Sequence, residues 1–316
     1  MLDLRHHATT GKTRLRLLKF MLPGDHRPRL GALDSGDRII DVSAEAARGA
    51  APPFDPSCMV SLAESGKPGL NALRDLLARV RSGGIALRQA RLLAPIPRPR
   101  KNVMCVGWNY LEHFQEGERI RQSGQELPAH PVFFTKAPTA VIGPHDPIPL
   151  DAAVTDKLDW EVELGVVIGR AGKNIPEELA YDYVFGYTVI NDVSARDLQR
   201  AHGGQWFKGK SLDGTCPMGP VLVTADYLDP NNLRLSCRVN GVVKQDSNTR
   251  FMYFKVSRII AELSRGMTLE PGDVISTGTP SGVGFARTPP EYLRPGDVVE
   301  TEIEGIGVLR NPVAAA

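Results

Sequence analysis

Over residues 98–316 the apolar positions fall into short runs, many alternating with polar residues, with Gly or Pro between one run and the next. Such period-two runs predict β-strands, here over 103–107, 132–135, 162–168, 184–190, 221–224, 233–243, 273–277 and 298–309. Asn240-Gly241 interrupts one run with the residue pair that two-residue hairpin turns prefer. One segment has a helical repeat instead: Phe254, Ile259, Ile260 and Leu263 share a face, and Gly266 stops it. So few helices among so many strands predict a mostly β, α+β domain and not a doubly wound sheet. Upstream, 14–20, 30–33 and 38–42 read as short strands about an Asp34-Ser-Gly-Asp37 turn. Leu70, Leu73, Leu77 and Val80 then recur at helical spacing until Gly83-Gly84. Ala94-Pro-Ile-Pro-Arg-Pro99 is a stiff connector, so the expected organisation is a small N-terminal α+β domain over 1–97 and a larger domain over 98–316.

Composition narrows the class of protein. With 316 residues, 42% hydrophobic and 23% charged, the chain can bury a large core. A net charge of +2 with both signs interspersed gives no basic stripe, which argues against nucleic acid as a partner and leaves a small molecule. Cys58, Cys105, Cys216 and Cys237 show neither CxxC pairing nor metal-ligand spacing, as expected in a reducing cytosol. No run reaches the apolar length of a membrane span, so no membrane partner is expected. The opening MLDLRHHATTGKTRLRLLKF lacks the pattern of a signal peptide, and a cytoplasmic protein is expected.

The chemistry concentrates in Asp159-Trp-Glu-Val-Glu-Leu-Gly165 and Val189-Ile-Asn-Asp192. On a strand, Glu161 and Glu163 point the same way while Val162, Leu164, Val166 and Ile168 face a core. A lone Glu-x-Glu is usually a solvated face, but these acids end an otherwise buried strand. Buried carboxylates are costly without a cation. Asp192, at the end of the next strand, is a third oxygen donor, and three carboxylates without His or Cys suit Mg²⁺, Mn²⁺ or Ca²⁺ and not Zn²⁺. In Asn109-Tyr-Leu-Glu-His-Phe-Gln-Glu116, a helical turn would set His113 against Glu116, which would orient the imidazole as a base. The polar, aperiodic stretch 117–131 after it reads as a lid. His6, His7, His26, His130, His145 and His202 have no comparable partner and read as structural or surface residues. Lys208 and Lys210, on an extended segment, would face one side toward an anion. Gly278-Thr-Pro-Ser-Gly-Val-Gly284 could bind an anion through its N–H groups and the Thr279 hydroxyl, but lacks a P-loop's Gly-Lys-Ser/Thr ending. Arg196 and Gln199 could reach a substrate carboxylate or carbonyl, with a structural salt bridge the alternative for Arg196.

Taken together, Asn109-Tyr110 with His113 and Glu116, Phe133-Phe-Thr-Lys136, Asp159 to Gly165, Asn191-Asp-Val-Ser-Ala-Arg-Asp197, Gly209-Lys-Ser211 and Thr277-Gly-Thr-Pro280 resemble the fumarylacetoacetate hydrolase family. The resemblance runs from about residue 102 to 312 and implies a fold of rolled, mixed β-sheets, commonly in a homodimer. It also implies a divalent metal, usually Mg²⁺, on Glu161, Glu163 and Asp192. His113 and Glu116 would be the water-activating dyad, Lys210 would neutralise developing charge, and Phe134, Lys136, Arg196, Gln199 and Thr279 would contact substrate. The fumarylacetoacetate hydrolases proper carry a further acidic metal ligand upstream of the histidine, whereas Trp108-Asn-Tyr110 offers none. The chain therefore resembles the bacterial acylpyruvase and oxaloacetate decarboxylase-like branch. The implied reaction is carbon–carbon cleavage of a 2,4-diketo acid to pyruvate, with oxaloacetate decarboxylation or 2-oxo-dienoate isomerisation or hydration as alternatives through the same enolate.

Overall fold

The computed structural model describes residues 14–80, 83–122, 124 and 126–316. His6 and His7, with most of the opening segment, and Ser123 and Gln125 of the expected lid lie outside the described residues. The first strands, β1 (Arg16–Met21), β2 (Arg29–Leu33) and β3 (Arg38–Asp41), form an antiparallel set. Asp34 shapes the β2–β3 turn by accepting the N–H groups of Gly36 and Arg38, both at 2.8 Å. Helix α1 (Gly66–Arg79) buries Leu73 and half-buries Leu70 and Leu77. Beyond the proline connector come β4 (Val103–Gly107), α2 (Leu111–Arg121), β5 (Val132–Lys136), β6 (Val162–Ile168) and β7 (Val184–Asn191). Two short helices follow, α3 (Arg196–Ala201) and α4 (Phe207–Lys210), then β8 (Cys216–Thr224), β9 (Arg234–Val239) and β10 (Val242–Asn248). The chain continues with α5 (Val256–Ser264), β11 (Val274–Ser276), β12 (Val298–Ile303) and β13 (Gly307–Ala315).

The main sheet has the order β3-β2-β1-β8-β7-β6-β11-β4-β5. Of these pairs only β11–β4 is parallel, so the sheet is mixed. A second sheet has the order β10-β9-β12-β13 with antiparallel pairs, and Ile148–Leu150 adds a parallel strand beside β13. The architecture is the strand-rich α+β fold that the pattern predicts. At its centre β6 is buried along its whole length: Val162, Leu164, Val166 and Ile168 enter one apolar cluster and Val167 enters another on the opposite face. Gly165 has no room for a side chain, because a Cβ there would lie 2.8 Å from Ile190 Cδ1 and 2.9 Å from Thr188 Cγ2. The N-terminal strands join this sheet directly, with Arg16 opposite Val223 and Leu17 opposite Leu222.

Several elements depart from expectation for local reasons. The run 298–309 is not one strand but the hairpin β12–β13, reversed at Gly305, whose φ of +75° favours glycine. Strand β8 starts at Cys216, well before 221, despite Pro217 and Pro220. Residues 117–121 of the expected lid are helical and complete α2, which ends as Gln122 takes φ 50°. Lys208 and Lys210 lie on a helical turn and not on an extended strand, so Lys208 is exposed while Lys210 is buried. The Asn240-Gly241 turn and the helix stopped by Gly266 are as predicted, with φ of 53° and 77° at the two turn residues.

Candidate active site

Strands β6 and β7 end side by side, with Val162 opposite Asn191, and the Asp192 N–H donates to the Glu161 carbonyl at 2.9 Å. That register brings oxygens of Glu161, Glu163 and Asp192 within 4.8 Å of one another. All three are buried, at 4%, 1% and 0% exposure. Lys210 Nζ bridges two of them, donating to Glu161 Oε2 at 2.6 Å and Asp192 Oδ2 at 2.8 Å. Lys136 Nζ donates to the other Asp192 oxygen at 2.7 Å and to the Val193 carbonyl at 3.0 Å. Arg196 spans Glu161 Oε1 at 2.7 Å, Asp159 Oδ2 at 2.8 Å and Gln199 Oε1 at 3.1 Å. Glu163 differs: it accepts from the Ser276 hydroxyl at 2.6 Å and the Gly278 N–H at 2.8 Å, and no Lys or Arg among the described residues bonds to it.

The electrostatics follow this asymmetry. Burial pushes the Glu163 carboxyl well above the usual carboxylate range, and the neighbouring Asp192 and Glu161 add to the push. Burial acts on Glu161 in the same sense, but Lys210 and Arg196 outweigh it and hold that carboxyl down at about 2. Burial opposes the charge on Lys210, yet Asp192 and Glu161 keep its ammonium above the ordinary lysine value. An all-oxygen donor set with one carboxylate lacking a counter-charge fits a hard divalent cation. Glu161, Glu163 and Asp192 are the residues that can hold it.

Helix α2 carries the second component. Its start is pinned by Asn109, which accepts the Phe254 N–H at 2.7 Å and donates to the carbonyls of Thr277 and Phe254 at 2.7 and 3.0 Å. One turn on, His113 Nδ1 meets Glu116 Oε1 at 2.9 Å, and the Gly282 N–H reaches both Glu116 oxygens at 2.9 and 3.1 Å. A carboxylate held by a backbone donor is an acceptor, so Nδ1 carries the proton and Nε2 is left basic. His113 lines a cavity of about 110 Å³ together with Phe134, Glu161, Glu163, Arg196, Gln199, Lys210 and Thr279.

The glycine-rich segment does bind anions, but they are the chain's own carboxylates. Gly278 serves Glu163 and Gly282 serves Glu116, while Gly284 and Phe285 donate to Asp159 at 2.7 and 3.0 Å. The Thr279 hydroxyl donates to the Val162 carbonyl at 3.0 Å and accepts from Gln245 at 2.8 Å, so its one proton is committed. Lys136 is fully buried and is not part of the cavity wall, where Phe134 lies 4.9 Å beneath the Lys210 ammonium. His130 meets Glu262 at 3.3 Å on an exposed surface.

The model of the fumarylacetoacetate (FAA) hydrolase C-terminal family matches residues 102–314. The chain belongs to the fumarylacetoacetate hydrolase family. It is 43% identical over 304 residues to the mitochondrial oxaloacetate tautomerase fahd2 of Xenopus laevis, covering 95% of this chain and 90% of that protein. An oxaloacetate tautomerase of Bacillus subtilis is 49% identical over 229 residues, or 72% of this chain and 74% of its own. A solved maleylpyruvate hydrolase of a Sphingobium species, in complex with manganese(II) and pyruvate, is 30% identical with a TM-score of 0.75, covering 95% of this chain and 99% of that one. Like these relatives, this member of the fumarylacetoacetate hydrolase family is an enzyme, and its acidic triad is a metal-binding group.

Two kinds of site residue escaped the sequence pattern. Asp159 carries no signal beyond its place in the acidic motif, yet it ties Arg196 to the glycine-rich segment. Trp108 and Trp206 stand with ring centroids 5.1 Å apart in the cavity wall. The one signal for that contact is Gly107, where a Cβ would come within 2.4 Å of the Trp206 ring.

Proposed function

We propose that the protein is a divalent-metal-dependent tautomerase that interconverts the enol and keto forms of a small 2-keto acid of the oxaloacetate type. The observation that carries this reading is His113, whose Nδ1 is fixed by Glu116 so that Nε2 is left as a base beside the carboxylate cluster. A cavity of about 110 Å³ supports a substrate of a few carbons, since pockets for drug-sized ligands run to roughly 300–1,000 Å³. Full-length relatives named as oxaloacetate tautomerases, at 43% identity, support the reaction class.

Glu161, Glu163 and Asp192 would hold the cation, for which we propose Mg²⁺ with Mn²⁺ or Ca²⁺ as alternatives, and whose chemistry when bound is to draw electron density from a 2-keto oxygen. His113 Nε2 takes the proton from the enol 2-hydroxyl. Lys210 has two of its three N–H groups on Glu161 and Asp192 and offers the third to the oxygen on which charge develops. Contacts that strengthen as that charge appears lower the barrier more than they tighten ground-state binding. The imidazolium, stabilised by Glu116, returns the proton to C3, and only hydrogen changes place. Trp108, Phe134 and Trp206 keep bulk water from exchanging that proton.

Hydrolytic cleavage of a 2,4-diketo acid is the second reading, supported by the maleylpyruvate hydrolase at 30% identity; His113 would there take its proton from a water. Enol-oxaloacetate and acetylpyruvate, offered separately to the Mg²⁺-loaded protein, discriminate. Loss of the enol absorbance without release of pyruvate is expected, whereas faster release of pyruvate from acetylpyruvate would replace the first reading by the second. We further propose a homodimer, which the family resemblance supports, and a cytoplasmic placement, which four free cysteines support. Among the described residues no helix is long and apolar enough to cross a membrane.

A further inference from the structure

With a divalent cation keeping Glu163 ionised, five buried carboxylates, Asp159, Glu161, Glu163, Asp192 and Glu116, face three buried cations, Lys136, Arg196 and Lys210. The divalent cation cancels the excess of two negative charges and could take one substrate carboxylate as a ligand, which leaves the network no positive charge to spare. A second carboxylate on the substrate then needs a cation that the network has not already used, because an uncompensated charge in a closed site is costly.

The cavity wall holds one. Arg200 lies on α3 one turn beyond Arg196 and is exposed at the rim. Arg196 is committed to Asp159 and Glu161, and Lys210 to Glu161 and Asp192, whereas no Asp or Glu among the described residues pairs with Arg200. Its guanidinium is placed by Phe285, whose ring centroid lies 5.5 Å away and 4.6 Å from that of Arg196. Beside it, Gln199 turns its oxygen to Arg196, so its NH₂ group is the end left for the cavity.

We propose that Arg200 selects 2-keto dicarboxylates by binding the carboxylate remote from the keto group, with the Gln199 amide as second donor. The inference rests on the keto-acid reading above. It makes Arg200 a substrate-recognition residue and places the preferred substrates among acids such as oxaloacetate and not among monocarboxylates such as pyruvate.

Malate and lactate test it, since these stable 2-hydroxy acids differ only in the remote carboxylate. Calorimetric titration of the full-length Mn²⁺-loaded protein should show malate binding more tightly than lactate. Arg200→Gln should weaken malate by about 10- to 100-fold, as expected for a lost charge-assisted hydrogen bond, and leave lactate unchanged. Arg200→Lys should fall between, because it keeps the charge but not the forked geometry. A wild-type protein with no preference for malate, or an Arg200→Gln protein that weakens both ligands equally or neither, overturns the proposal. If the selective loss is seen but the wild type does not tautomerise oxaloacetate, Arg200 stands and the assigned reaction falls.

Discussion

Glu163 sits among three charged neighbours that are all neutralised by someone else. Lys210, Lys136 and Arg196 take up Glu161 and Asp192, while Glu163 has only Ser276 and the Gly278 amide. Glu163→Gln should therefore abolish measurable Mg²⁺ or Mn²⁺ binding by calorimetry while the fold survives, because the substitution removes a charge and keeps the shape. Unchanged metal affinity would mean that the triad is not the metal site. Lys136 makes the opposite case. Its ammonium holds Asp192 from outside the cavity, so Lys136→Met should destabilise the metal-free protein by about 3–5 kcal/mol in urea unfolding, the usual penalty for breaking a buried ion pair from one side. A variant of wild-type stability with weakened substrate binding would instead make Lys136 a substrate contact. At this scale the acids were legible, since Glu161 and Glu163 interrupt a buried strand and can be weighed as a pair. The lysines were not, because nothing local in Phe133-Phe-Thr-Lys136 tells an ammonium that faces a substrate from one that faces a carboxylate at the end of a strand four places along the sheet.

Among the elements, the glycine-rich segment after β11 acts as a backbone clamp. Its N–H groups hold Glu163, Glu116 and Asp159, and so link the metal triad, the His113 dyad and Arg196 through one piece of chain. Asp159→Asn keeps the size of the side chain but weakens its hold on Arg196, Gly284 and Phe285. Amide hydrogen exchange at 284–285 should become faster, and turnover should fall, without loss of the pairing of β9 with β12 in the second sheet. Protection at 284–285 equal to wild type would show that Asp159 does not hold the segment. The strands of this region were readable because burial on both faces of β6 leaves a mostly apolar run, Leu164 to Ile168, beyond Glu163. The Lys208–Lys210 turn was misread as extended for the reason that four residues are too few to display a period, and the 298–309 run hid a hairpin marked by Gly305 and Gly307. The Glu270-Pro-Gly-Asp273 and Arg294-Pro-Gly-Asp297 turns, in contrast, are alike in structure as in sequence, each aspartate accepting the first residue's N–H at 2.8 and 2.7 Å.

For the whole molecule, we propose that the boundary at residue 97 divides sequence modules that share one core. Leu15, Leu17, Leu30, Leu62 and Leu73 pack in the same cluster as Val103, Val167 and Leu222, and β1 covers the edge of β8. Residues 98–316 expressed alone should then aggregate or fail to show a cooperative thermal transition, because β8 becomes an open edge. A soluble, cooperatively melting fragment would show that 98–316 is independent. The connector that marked the boundary records composition, and composition does not reveal which strands pair across it. The proposed homodimer is checked by light scattering at micromolar concentration, where a monomeric mass would contradict it.

The account turns on His113 as the base that moves one proton between oxygen and carbon. The most direct measurement is the rate at which enol-oxaloacetate disappears, by absorbance, with wild-type and His113→Ala protein at saturating Mg²⁺, alongside the metal affinity of each. The account predicts a fall of about 10²- to 10⁴-fold, the usual worth of a general base, with metal affinity unchanged. A His113→Ala protein that binds metal normally and tautomerises oxaloacetate within a few-fold of wild type would contradict it.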